Sequence, residues 1–400
     1  MSAIPDGQRN DDESTARPSY PGLDGRKRGT LVGPLAAMVA GWEQSLRSPL
    51  TGVTADGTAE LGLFPLGSAG APTSPITKAA ADLVASLDPT TRAEVERPLD
   101  SDDWRRWSNF APNLVRHGAL LEGLPDVQRE HALELMRQTL SAAGFETARN
   151  IMRLNHTLAE MTGHGDDYGE WLYWLSIFGT PSPDRPWGWQ IDGHHLVLNT
   201  FVLGDQIVTT PMFWGSEPTV ATTGTHAGTV VLQEEQRQGY ALLQSLTAAQ
   251  RSVAVLSDEL PSEVIAGSFR DNFEMRYEGI AFGDLTADQQ ALLRRLVEVY
   301  IGRIRPDHAA VKMAEIDQHL ERTFFAWIGG TGIDAVFYYR IHSPVVLIEF
   351  DHLPGIAFMN THPTRRHIHT VVRTPNGNDY GQDLLRQHYE QAHQTRTDRS

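Results

Sequence analysis

Three short phrases hold the residues best suited to chemistry. RHIHT places His367 and His369 two positions apart, WQIDGHHLV sets His194 beside His195, and LIEFDH puts Glu349 two residues before Asp351. Successive side chains of a strand point to opposite faces, so residues two apart share one. Read as strands, these phrases project His367 and His369 together, at a spacing that can grip one cation, and do the same for Glu349 and Asp351. His194 and His195 cannot both join one face unless the strand bulges, and Gly193 offers the place for a bulge. The expected ligand set is therefore His367, His369, one of His194 and His195, and one of Glu349 and Asp351. Such donors suit a divalent Fe, Zn or Mn ion; two histidines and a carboxylate with open positions favour non-haem iron chemistry, and zinc with a bound water favours hydrolysis. The plain alternative is a half-exposed polar strand face, in a chain whose 16 histidines allow chance clustering. Co-occurrence of the three phrases is what favours a site.

Other residues could serve such a centre. Arg340 and His342 in YYRIHSP share a strand face, and Arg366 and Arg373 bracket the His-x-His phrase. Arginines beside a pocket fit a carboxylate or phosphate on a small molecule, although ion pairing within the protein explains each one singly. Arg340 or Arg373 would hold the anionic group, Tyr380 or His342 could move protons, and Trp189 could wall an apolar cavity or simply fill the core.

The elements that must position these groups can be read from periodicity. LDPTTRAEV, LPDVQREHALELM, LTAAQRSVAVL and LTADQQALLRRLVEVYI are helix starts, and Thr247 with Gln250 and Thr286 with Gln289 fit capping boxes. The run from Trp189 to Gly215 reads as strands split at Gly204 and Asp205, with HAGTVVLQ as a further short strand. A second group, TFFAWIG, AVFYYRIHSPVVLIEFDH and RHIHTVVR, is β-branched and aromatic. DYGEWLYW and NDYGQDLLRQHY each place Asp-Tyr-Gly ahead of a helical stretch. The expected fold is α+β: a largely antiparallel sheet built from two separated strand groups, packed with helices from the N-terminal and middle segments.

A single domain over 31–393 is expected, with a helical layer at about 31–170 and strands at about 186–232. Helices follow at about 234–322, a second strand group at about 323–373 and a C-terminal helix at about 380–393. Residues 1–30 read as a disordered arm and 394–400 as a flexible tail. LVGPLAAMVAG resembles a signal-peptide core but continues with helical spacing into WEQSLRS, so it is read as the first core helix.

Composition excludes several classes. The 400 residues carry no cysteine, so disulfides, thiolate metal sites and a Cys nucleophile are out. A formal charge of −16 repels polyanions, so a nucleic-acid partner is not expected. No run reaches the roughly 18 to 20 apolar residues of a membrane span. A soluble cytoplasmic protein with a small-molecule ligand is expected, and a homo-oligomer is compatible with the sequence.

The long phrases FGTPSPDRPWGWQIDGHHLVLNTFVLGDQIVTTPMFWGSEP, FAWIGG, FYYRIHSPVVLIEFD and HIHTVVRTPNGNDYGQDLLRQHY resemble the domain-of-unknown-function family 3500 of bacteria and fungi, over about 35–390. The resemblance implies one family-wide domain whose signatures include Gly193-His194-His195 and His367, His369 and Asp379-Tyr380-Gly381. It implies no reaction. The expectation is thus a metal-dependent enzyme acting on a small anionic molecule, with a non-haem iron oxidoreductase ahead of a zinc hydrolase. The rival is a metal-free binding protein with a His/Arg/Trp pocket, or histidines that are only structural.

Overall fold

The computed structural model describes residues 33–111, 113–355, 357–358 and 360–397. Eight strands of five or more residues form the backbone of a mixed sheet: β1 Tyr173–Phe178, β2 Trp187–Gly193, β3 Leu196–Leu203, β4 Met212–Ser216, β5 Phe324–Gly329, β6 Phe337–His342, β7 Leu347–Pro354 and β8 Pro363–Arg373. Their spatial order is β5-β6-β7-β8-β4-β3-β2-β1, antiparallel at every step. The two groups expected from sequence thus meet where β8 pairs with β4. Short strands add parallel pairings, Glu96–Arg97 with β1 and Val255–Ser257 with β5, so the sheet is mixed and not purely antiparallel. The class is α+β.

Alternation gives this sheet two unlike faces. Register places Trp187, Trp189, Ile191, Trp214, Tyr339, Ile341 and Phe350 on one side, all buried. Removing each such side chain from water contributes roughly 2 kcal/mol. Helices cover this side: α6 Gln233–Ser245 brings Gly239 onto the Tyr339 ring, where a Cβ would sit 2.3 Å away, and α8 Ala287–Ile301 joins Tyr300 to the Tyr339 hydroxyl. The other side carries Gln190, Asp192, Asn199, Tyr338, Arg340, Glu349, Asp351, His367, His369 and Arg373. A polar face this dense must be roofed by groups that satisfy it. The largely irregular segments 98–111 and 258–272 do so: the Ser108 amide donates to Asp192, those of Ile265 and Ala266 to Glu349, and Arg373 donates to the Ala266 and Gly267 carbonyls.

The expected helix starts hold at α3 Pro89–Val95, α4 Asp126–Thr139, α7 Ala248–Ala254 and α8, and both capping boxes form. Several boundaries differ. YWLSIF is strand β1 and not part of the helix read after Asp-Tyr-Gly, because its alternating residues are buried on both sides. HAGTVVLQ forms only an isolated bridge, Val220 to Val230. The first helix, α1 Gly33–Ser45, forms ahead of α2 Ser74–Ser86 but lies at the periphery, with Met38 36% exposed, so it is no core helix. The C-terminal helix α10 Gln382–Thr397 runs past 393 into the stretch expected to be a flexible tail. The expected N-terminal arm, 1–30, lies outside the described residues.

Candidate metal centre

β2 and β3 are joined by a two-residue turn, and the turn is His194-His195: Gly193 pairs with Leu196. The bulge considered possible at Gly193 does not form, because the register runs unbroken to the turn. At the turn His195 takes φ 65°, the left-handed region, which costs a non-glycine residue about 1 kcal/mol. Its amide donates to the Asn109 carbonyl and its own carbonyl accepts from the Gly215 amide, fixing it over β4. The two adjacent imidazoles then part. His195 faces β8, whereas His194 stacks on it at 3.7 Å and turns its Nδ1 to Asn155 of helix α5 Ala142–Thr162.

His367 and His369 share the polar face, as alternation requires, and meet His195 there. His195 Nε2 lies 3.2 Å from His367 Nε2, which lies 3.0 Å from His369 Nε2. One nitrogen from each of the three falls within 4.8 Å of the others, and all three residues are buried. Ligands at about 2.0–2.1 Å from a tetrahedral ion would be separated by about 3.3 Å, close to the 3.2 and 3.0 Å of two of the three pairs.

The outer nitrogens decide what the inner ones present. His367 Nδ1 lies 2.7 Å from the Pro354 carbonyl, which can only accept, so that nitrogen carries the proton. His369 Nδ1 lies 2.7 Å from the Glu263 carboxylate and donates in the same way. Both Nε2 atoms therefore aim lone pairs at a common point. A proton could bridge them only if one ring became an imidazolium, and burial holds His195 and His367 well below the ordinary histidine range. Nitrogens held this close need either a bridging proton or a cation between them, and a cation satisfies all three rings at once.

Gly215 makes the convergence fit. A Cβ there would stand 2.9 Å from His369 Cδ2, 3.1 Å from His195 Cδ2 and 3.0 Å from the Ile368 carbonyl. Phe213 on the same face stacks edgewise on His369 at 4.9 Å.

The other residues nominated from sequence lie elsewhere. Glu349 accepts from the Tyr338 hydroxyl at 2.6 Å and from the Ile265 and Ala266 amides, so it anchors the roof and lies outside the histidine cluster. Asp351 stands directly across from His369 on β7, outside the cluster. It is fully buried; the His352 amide approaches its carboxylate, yet neither oxygen receives a well-formed hydrogen bond. Burial raises its carboxyl well above the usual range.

Arg340 pairs with Glu278 while its Nε stays without a hydrogen-bond partner, and Arg373 pairs with Asp271 at 2.8 Å and Asp379 at 3.1 Å, so both guanidinium charges are already balanced within the protein. Tyr380 donates to Asp271 and accepts from Trp107 Nε1 in that same buried network. His342 packs on Tyr277 at 4.6 Å, opposite Leu347 and away from the cluster, and Trp189 lies on the helix-covered face, so neither touches it. His117 bonds the buried Gln190 and lies outside the cluster.

Sequence reasoning missed Glu263, Gly215 and the Pro354 carbonyl. Glu263, in PSEVIAG, has no periodic or motif signal.

The model of the family described as Protein of unknown function (DUF3500) matches residues 69–382. The chain belongs to that family. The match spans the histidine turn, Glu263 and the His-x-His strand. No curated protein and no solved structure gives a match.

Proposed function

We propose that this DUF3500 protein is a metal-dependent enzyme that holds a divalent cation with His195, His367 and His369 and acts on a small organic molecule. The observation that carries the reading is the shared orientation of the Nε2 atoms, with the Nδ1 protons of His367 and His369 already committed to Pro354 and Glu263. A hydrogen-bonded outer nitrogen fixes ring orientation and makes the inner one a better donor.

The donor set bears on the metal. Three imidazoles with an open fourth position suit zinc, whereas the two-histidine, one-carboxylate arrangement of non-haem iron would need Glu349 or Asp351 in the cluster. Glu349 is occupied by the roof amides and Asp351 stands to one side, so hydrolysis or hydration is favoured over oxidation. A bound ion would supply Lewis acidity toward a water or a carbonyl oxygen. The chain itself would orient the rings, exclude bulk water through burial to a few per cent exposure, and hold proton positions on the outer nitrogens. Because Arg340 and Arg373 are both paired, recognition of an anionic substrate group by them has no support.

The test is elemental analysis of tag-free protein after dialysis against Zn, Mn and Fe(II) in turn, with thermal unfolding before and after chelation. About one zinc per chain, a higher Tm when loaded, and loss of both in His367→Ala are expected. A chain that retains no metal after supplementation, or whose His367→Ala variant binds as well, would sink the reading.

A further inference from the structure

On the far side of the sheet from the histidines lies a cavity of about 490 Å³, within the size range of small-molecule pockets. Its floor includes Met212 of β4 and Val372 of β8, which are register partners on the helix-covered face. Ile301, Ile304 and Phe64 close it with further apolar surface, and helix α9 Pro306–Asp317 forms one wall. The space is open on one side, and Gln206, Thr209, Thr210 and His308 add polar groups to a wall that is otherwise mainly apolar.

The polar groups in its wall select among occupants. Lys312 donates to Glu315 and, at 2.9 Å, to the Val345 carbonyl. An ammonium has three donors, so one N–H remains. The Glu315 carboxylate already balances its charge, so this pair offers a donor and no net positive field. A free carboxylate or sulfonate would bring its charge beside Glu315 without a cation of its own. We infer that this cavity is a second ligand site, separate from the histidine cluster, for a neutral and largely apolar small molecule whose carbonyl or ether oxygen accepts from Lys312.

The inference goes beyond the metal reading and stands without it. The rim includes Val311, 38% exposed, and the exposed Ala314 of α9, where a bulky side chain can enter the opening without disturbing the core. Full-length protein is titrated with the neutral dimethylamino-propionyl-naphthalene dye, a ketone whose emission shifts to the blue in apolar surroundings, and in parallel with anionic anilinonaphthalene sulfonate.

Saturable one-to-one binding of the ketone is expected, about tenfold tighter than the sulfonate. Val311→Trp and Ala314→Trp should each weaken it about tenfold with unfolding temperature unchanged, and Lys312→Met should reduce affinity severalfold, roughly the loss of one hydrogen bond. His367→Ala should leave it as in the parent, which separates this site from the metal centre. Unsaturable dye binding, equal or tighter binding of the sulfonate, or undiminished affinity in both tryptophan variants would overturn the inference.

Discussion

At the scale of single residues, a metal site differs from a knot of polar side chains in what its outer atoms do. Glu263 holds the Nδ1 proton of His369 and touches no ion itself. Glu263→Gln leaves an acceptor in place but removes the charge, so zinc affinity, read by competition with a chromophoric chelator, should fall roughly 10- to 100-fold in a folded protein. A change under about twofold would make that carboxylate incidental. Gly215→Ala tests the opposite requirement, room. Its methyl would press on both His195 and His369 and on a backbone carbonyl, so it should cost about 1–3 kcal/mol of stability and weaken metal binding more than a conservative core change does. Wild-type affinity in that variant would show that the rings do not need their present approach. The His-x-His pair was legible in the sequence because period-two alternation is robust. Glu263 was not, since it reaches His369 from an irregular roof segment 106 residues away in the chain.

Elements were legible where local chemistry alone decides them. Thr286 and Gln289 satisfy each other's first-turn donors, and so the start of α8 could be placed from four letters. Thr286→Ala should therefore cost about 1 kcal/mol in chemical denaturation and leave the metal content alone. No measurable cost would mean that tertiary packing of Leu293, Leu296 and Val297 holds the helix end without its cap. Elements were misread where burial overrides pattern: β1 is apolar on both faces, which removes the alternation that marks a strand, and its neighbour Asp-Tyr-Gly mimics a helix start. The two-residue turn at His194-His195 escaped notice for a different reason. Such turns usually advertise themselves with Asn-Gly or Asp-Gly, and here the left-handed position is taken by a histidine whose side chain is needed elsewhere.

For the whole molecule, a sheet with one polar face means that many ionisable groups are buried in their neutral forms, and pH becomes a global control. His352, on the helix-covered face, accepts from the Phe337 amide and bonds Gln236, and burial lowers its pKa to about 3; the same cause takes His342 to about 3. Both folded values lie below the unfolded value near 6.5. The unfolded chain thus binds the extra protons, so stability is whole above about pH 6.5 and falls with pH down toward 3, by about 1.4 kcal/mol per pH unit for each such histidine. The raised carboxyls of Asp192, Glu349 and Asp351 act in the opposite direction, losing stability as pH rises through their folded values. Between pH 6 and 4 these two sets of groups oppose each other, and urea titrations of metal-free protein read the net slope, to which each lowered histidine adds an acid-side loss. His352→Gln, which does not titrate, should flatten that slope by about 1.4 kcal/mol per unit. An unchanged slope would mean that His352 charges within the fold. Zinc should steepen the acid loss further, because each ligating imidazole must shed its proton to bind.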